Sequence, residues 1–434
     1  MNKRKFLAFL MVCIFGSLFF IHQFSALEAN NSYVRDKKEV QSIEEFDSNL
    51  NYNYSEVAIW GDINDIKQIQ SIFVKENIAY LGGYGGFYIV NISEPENPSM
   101  ISEISFGDYI TGGIVLGIYV EENYAYLAKS DTALIVVNIS NIEAPVIDSY
   151  VLNPHCAGYR SLYVDGDYFY LTGIEISSLS IFKLDSNKYP HFITFYQHTD
   201  IDYIDVATAE NYLFLSTLND RIEILNITDK SHLTFINTIN LPRNTLHMEI
   251  KDNFLFTSIQ YNGFRVFDFI NISNPIEVAR NNPYISESVT DFAINNTILY
   301  VGYLSYGMDI IDFSNISDMK RVGHFWGNGP ITDIQLKDNL IYSVHNRWGL
   351  SVAGRDQDND NLPDYLEKKI GTDELDPDTD NDRLLDGQEY WEDGNPLVWN
   401  NWKLLFGIYF IPIYLAIIVV IIYFSFIRKR KMKN

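Results

Sequence analysis

The sequence predicts an all-β fold, a seven-bladed beta-propeller, and three observations carry that prediction. Aromatic anchors in Ala-Tyr-Leu-like triplets, at Tyr80, Tyr126, Tyr170, Phe214, Phe256, Tyr300 and Tyr342, follow one another at intervals of 42 to 46 residues. A fixed period of about 40 to 45 residues marks a solenoid or propeller rather than a domain with one core. The units read as short β-rich runs separated by polar turns and show no helical periodicity, so an α-solenoid does not fit. Finally, the seventh unit stops near Gly354 after three strands, while Ser55 to Ile63 stands alone before the first unit. That orphan strand is expected to complete the last blade and so close the ring over residues 55–354.

Within a unit the first strand is an alternating stretch such as Ile118-Tyr119-Val120, followed by the turn Glu121-Glu122-Asn123 and a second strand from Tyr124 to Ala128. Gly86, Gly263, Gly307 and Gly349 mark the next turn, where tight hairpin geometry favours glycine. The third strand ends at an Asn-Ile-Ser-like triplet, at Asn91, Asn138, Asn226, Asn271 and Asn315. Pro98, Pro145, Pro190 and Pro275 lie seven residues beyond Asn91, Asn138, Lys183 and Asp268, and a fourth strand follows. Four antiparallel strands per period make one blade, and radial repetition leaves few edges exposed. The unit resembles the LVIVD repeat family of beta-propellers through YIVNIS, LIVVNIS, IEILNIT and DIIDFS, departing from it at Lys183-Leu184-Asp185 and Ser351-Val352-Ala353.

The two ends have a different character. Residues 1–29 carry Lys3, Arg4 and Lys5 ahead of an apolar run from Phe6 to Ile21, the layout of a secretory signal, with an uncleaved anchor as the alternative. Residues 30–54 are expected to be a flexible lead-in. Leu404 to Ile427 is an unbroken apolar stretch of 24 residues, long enough to cross a bilayer as a transmembrane helix. Arg428, Lys429, Arg430, Lys431 and Lys433 follow it and place the 428–434 tail in the cytoplasm, with Trp399 and Trp402 at the outer interface. The expectation is a single-pass type I cell-membrane protein with its N-terminal domain extracellular. A net charge of −24 excludes nucleic acid as a partner. Of two cysteines, Cys13 leaves with the signal and Cys156 remains alone, so packing rather than disulfides must hold the ectodomain together. Sequons occur at Asn30, Asn53, Asn91, Asn138, Asn226, Asn271, Asn295 and Asn315. They mark glycosylation sites or, since most belong to the repeat, simply a short polar residue needed for a turn.

From Asp356 the composition changes to DQDNDNLPDYLE, and 22 residues later DTDNDRLLDGQE repeats it. The register matches Asp356, Asp358, Asp360, Asp364 and Glu367 with Asp378, Asp380, Asp382, Asp386 and Glu389. Asp at loop positions 1, 3, 5 and 9 with Glu at 12, and a backbone carbonyl from Leu362 or Leu384 at 7, is the pattern that wraps oxygen around Ca²⁺. The alternative is a solvated acidic linker. Residues 355–398 resemble thrombospondin type 3 repeats, with Gly371-Thr372-Asp373 and Asp376-Pro377-Asp378 adding to the likeness. The resemblance implies a calcium-binding stalk. Asn361 and Arg383 stand where such loops favour Gly.

No sequence motif for a nucleophile elbow, a zinc helix or a phosphate loop is present. Nine residues before each anchor lie Ser71, Gly117, Ser161, Asp205, His247, Asp291 and Asp333. They are expected to form a ring at the channel mouth, there either to bind a cation or polar ligand or to bond to backbone amides. The many Tyr and Phe, with Trp326 and Trp348, are expected either as a platform for protein or carbohydrate on one face or, for most of them, as core between blades. The functional expectation is a surface receptor or adhesion-type binding protein, more in keeping with this sequence than an enzyme. The alternatives are an extracellular hydrolase or lyase using the channel, and a structural surface-layer component.

Overall fold

The computed structural model describes residues 54–398 except 61–67, 107–112, 132–133, 152–157, 174–177, 199–200, 282–286, 306, 327–328, 347 and 393. The expected signal, residues 30–53 of the expected lead-in, Cys156, the 404–427 span and the basic tail lie outside the described residues, while Tyr54, the end of the expected lead-in, is already in a strand. Among the described residues no helix is long and apolar enough to cross a membrane.

Seven four-stranded antiparallel sheets make a seven-bladed propeller. The innermost strands are β2 (Ile69–Lys75), β6 (Val115–Glu121), β10 (Tyr159–Asp165), β14 (Tyr203–Ala209), β18 (Met248–Lys251), β22 (Val289–Asn295) and β26 (Ile331–Lys337). Each touches the next around the axis, and β26 touches β2, so the ring is closed. The closing blade joins the two ends of the domain. Its sheet order is β1 (Tyr54–Trp60), β28 (Gly349–Arg355), β27 (Leu340–His345), β26. Tyr54 pairs with Arg355 and Trp60 with Leu350. The orphan strand therefore does complete the last blade, with residues 61–63 of the expected strand outside the described residues, and the propeller runs one residue past Gly354.

Burial follows radial position. Second strands such as β15 (Tyr212–Thr217) are buried on both faces because a neighbouring blade covers each side, so they read as continuous apolar runs. Outer strands such as β9 (Val146–Val151) and β13 (Pro190–Gln197) alternate exposed and covered residues. The anchors sit between blades: Tyr126, Tyr170, Phe214, Phe256 and Tyr342 are fully buried, each contributing about 2–3 kcal/mol by area. Tyr126 meets Phe169 of the next blade edge-on at 4.8 Å.

The recurring asparagine proves to be a turn device in two registers. Oδ1 of Asn91, Asn138 and Asn226 accepts from the N–H two residues on, at 2.9, 2.9 and 2.8 Å. Asp268 and Asp312 do the same at 2.8 Å, and Asp185 takes this part in the third blade, two residues after Lys183. Asn271 and Asn315 lie three residues beyond that position, in the connection to the fourth strand. Asn315 there caps a short 3-10 turn, Ile316–Asp318. Because the triplet serves two successive turns, it recurs without one fixed spacing.

Candidate functional site

Two groups of functional side chains were expected, and the fold assembles each from neighbouring elements. The first is the channel ring. A register shift immediately precedes Ser71, Gly117, Ser161, Asp291 and Asp333 in their strands, and one interrupts β14 around Asp205. Such bulges re-aim a side chain, here toward the following blade.

The ring is a continuous belt of inter-blade contacts. Ser71 Oγ donates to the Val115 carbonyl at 3.0 Å, and Ser161 Oγ to Asp205 Oδ1 at 2.6 Å. Oδ2 of Asp205 accepts from Met248 N–H at 2.9 Å, Oδ2 of Asp291 from Ile334 N–H at 2.7 Å, and Oδ2 of Asp333 from Ile72 N–H at 2.9 Å. His247 lies between two acids, with Nδ1 3.4 Å from Asp205 and Nε2 3.1 Å from Asp291. At Gly117 a Cβ would stand 2.7 Å from Leu162 Cβ in the next blade. Each innermost strand has one unpaired edge, and the carboxylates satisfy N–H groups along it. The amides they hold belong to the next blade rather than to their own turn. Gly117→Val is expected to wedge the second and third blades apart and cost about 2–3 kcal/mol, readable as a lower urea midpoint.

Charge in the belt is balanced internally. Burial alone would lower the His247 pKa, but Asp291 and Asp205 outweigh it and raise it to about 9. Burial raises Asp291 against the opposing His247, and burial together with Asp291 raises Asp333 further. Glu249, two residues along from His247, is pushed up to about 7 by burial despite His247. The belt thus places His247, whose hold on its proton is strengthened, between the carboxylates of Asp205 and Asp291. A cleft of about 280 Å³, lined by Asn295, Tyr300, Lys337, Asp338 and Asn339 among others, lies where β22 and β26 end, away from the belt.

The second group is the acidic double loop. Asp356, Asp358 and Asp360 each bring an oxygen within 4.8 Å of the others, as do Asp378, Asp380 and Asp382. Helices Asp364–Ile370 and Asp386–Trp391 follow the two loops and carry Glu367 and Glu389 inward. Asp356 accepts from the N–H groups of Asn359 and Asn361 at 2.8 and 3.1 Å, and Asp378 from those of Asp382 and Arg383 at 2.9 and 2.7 Å. Asp364 and Asp386 close their loops by accepting from Gln357 N–H at 2.8 Å and Thr379 N–H at 3.0 Å. Asn361 and Arg383 adopt φ of 72° and 75°, the left-handed region expected at that loop position. Arginine enters it at a cost of about 1 kcal/mol relative to glycine. Leu362 is buried and Leu384 partly covered.

These carboxylates are unbalanced in a way the belt is not. Both oxygens of Asp358, Oε2 of Glu367 and Oδ2 of Asp380 are buried with no hydrogen-bond partner, and Glu367 has no exposed surface. Burial and then the neighbouring carboxylates push Asp358 to about 7 and Glu367 to about 8. A hard cation with an all-oxygen shell would fit this donor set, whereas the absence of thiol and imidazole donors from the two loops disfavours zinc. The loops also pack together. Gly387 N–H donates to Asp360 Oδ2 at 2.7 Å, and Trp391 Nε1 to the Asn361 carbonyl at 2.9 Å. A Cβ at Gly387 would lie 2.4 Å from the Asp360 carbonyl oxygen.

Other buried charges escaped the sequence reading. Glu223 meets Arg221 at 3.1 Å and the hydroxyls of Tyr203 and Tyr196 at 3.3 and 3.4 Å. Asp309 meets His324 Nδ1 at 2.7 Å and the Tyr303 hydroxyl at 3.1 Å, and Trp326 stands edge-on to His324 at 4.3 Å. Both acids occupy the position three residues before the strand-end Asn or Asp, where the second blade has Ile135. The same column holds Tyr88, Ser180 and Arg265 in other blades, so a charge there did not stand out in the sequence. The sequons Asn91, Asn138, Asn226, Asn271, Asn295 and Asn315 all sit at one face of the propeller, at or just past the ends of first and third strands.

Comparison with known proteins bears on the fold. No curated protein matches the chain in sequence. Among solved structures, the computationally designed Ika8 protein aligns at 14% identity with a TM-score of 0.47, covering 69% of this chain and 99% of its own. The LVIVD repeat model matches residues 68–105, 112–152 and 288–325, which are the first, second and sixth blades, so the propeller carries LVIVD repeats.

Proposed function

We propose that this chain is a membrane-anchored, cell-surface binding protein that presents its propeller on a calcium-stabilised, thrombospondin type 3-like segment. The observation that carries the reading is the segregation of the two propeller faces. β28 ends at Arg355 on the face where the six described sequons lie, so the chain leaves for the acidic double loop and the apolar 404–427 stretch from that side. The opposite face has the belt at the channel mouth and the exposed side chains of Leu218, Tyr261, Leu304 and Trp326. Tyr261 and Trp326, the exposed aromatics of this group, fit a protein or carbohydrate partner. The belt itself is committed to holding blades together.

Isothermal calorimetry on the full-length protein tests the calcium part, with binding expected at or tighter than about 1 mM. Asp358→Asn and Asp380→Asn should each remove one binding event, and no binding at that concentration would sink it. For the binding face, an epitope inserted at Asn219–Asp220 should be labelled on intact cells. Tyr261→Ala with Trp326→Ala should abolish attachment of cells to immobilised partner glycans or matrix without changing surface expression. Attachment that survives in the double variant would reject this face.

A further inference from the structure

We propose that calcium in the first acidic loop acts as a clamp across the seam where the propeller ring is closed, so that loading the loop locks the first blade to the last. The inference rests on the calcium reading above and concerns what the ion controls. The seventh blade is completed by β1, whose chain runs on into the first blade, and the ring opens only if β1 parts from β28. Asp356, the first residue of the acidic loop, directly follows Arg355, which pairs with Tyr54 of β1.

The helix that closes this loop lies over the same seam. Tyr365 packs against the shared core of the seventh and first blades, a cluster that includes Ile72 of the first blade and Leu340, Tyr342 and Val352 of the seventh. Its hydroxyl donates to Glu96 Oε2 of the first blade at 3.3 Å. Lys369 reaches Glu94 at 2.6 Å and Glu96 at 2.5 Å in the same connection, between β4 (Gly86–Asn91) and β5 (Ser99–Ser105). On the other side the helix is tied to the seventh blade: Gly354 leaves so little room that a Cβ would stand 2.8 Å from Pro363 and 3.4 Å from Tyr365.

The path from ion to seam is short. Glu367 lies between Tyr365 and Lys369 on the same helical turn, and it points its partnerless oxygen into the buried loop with Asp358. Without a cation these carboxylates repel one another, and a swing of the helix away from the loop would relieve that repulsion. That movement would withdraw Tyr365 from the seam. With the ion bound, loop, helix and first blade form one unit bridging β28 to Glu94 and Glu96, in parallel with the β1–β28 ladder. The exposed Lys369 pairs add little by themselves; Tyr365 transmits most of the coupling.

Hydrogen exchange of the full-length protein, with calcium or with EGTA, tests this. Calcium is expected to slow exchange in Tyr54–Trp60 and Gly349–Arg355 by about tenfold or more, and in the distant fourth blade by much less. Tyr365→Ala should keep calcium affinity within about threefold by calorimetry yet lose most of the calcium-dependent protection of the seam. A second variant, Glu96→Ala with Lys369→Ala, should lose part of it and serves if the first does not fold. Calcium binding without a change in seam exchange overturns the clamp and leaves the calcium reading intact. Equal protection in the wild type and Tyr365→Ala overturns the route through the helix. An absence of calcium binding overturns both.

Discussion

Val57→Asp will open the propeller, whereas Ile59→Asp two residues away will leave it nearly unchanged. Val57 is 4% exposed and packs with Ile69, Ile72, Leu340 and Val352, so it bridges the first and seventh blades. A carboxylate there must either be buried unpaired or pull β1 away from β28. Either route costs roughly 4 kcal/mol or more, a large share of the stability of any domain. Ile59 lies on the same strand but is 40% exposed, and its substitution should fall within about 0.5 kcal/mol. Urea unfolding followed by tryptophan fluorescence reads both. A Val57→Asp midpoint equal to that of Ile59→Asp would show that the ring does not depend on its N-terminal strand.

The closing strand was legible because a repeat leaves a countable remainder. Seven anchors with three strands after the last of them require a fourth strand from elsewhere, and the orphan SEVAIW was the segment available. The ring residues were legible for the same reason, since a bulge at nearly the same place in six of the seven first strands keeps the offset from the anchor constant. Their partners were not. Asp205, Asp291 and Asp333 accept from amides 43 residues later or, for Asp333, 261 residues earlier, and nothing local encodes which backbone group another blade will present. The grouping of Asp356, Asp358 and Asp360, and of Asp378, Asp380 and Asp382, was readable because it is made within one short loop. The docking of Tyr365 on Glu96 was not, because it joins residues 269 apart and looks, in sequence, like an ordinary amphipathic helix.

Raising the pH from about 6.5 to 9 will destabilise the propeller, and His247→Gln will remove most of that loss. His247 has its pKa raised to about 9 from 6.5, because Asp291 and Asp205 flank it and outweigh the opposing effect of burial. A base with a raised folded-state pKa binds its proton more tightly when folded. Its contribution is therefore complete below the unfolded value near 6.5 and is lost as the pH climbs through the folded value. The difference of 9 − 6.5 is roughly 2.5 units, which is about 3 kcal/mol at most. Asp291, also raised, slopes the same way at lower pH: the folded state holds its proton longer than the unfolded chain does, so stability again falls as pH rises. The two effects add in sign and differ in window, and the variants separate them. Asp291→Asn keeps an acceptor for Ile334 N–H while removing one of the two charges that hold the imidazolium, so the alkaline loss should still begin near pH 6.5 but be smaller and end at lower pH. His247→Gln should remove the imidazolium's share of the loss above pH 6.5 and move the acidic limb to higher pH, because His247 opposes the rise of Asp291, Glu249 and Asp333. Urea midpoints measured from pH 5 to 9.5 decide the matter: equal alkaline slopes in wild type and His247→Gln would mean that the belt is held by backbone amides alone, without a charged clasp at the fifth blade.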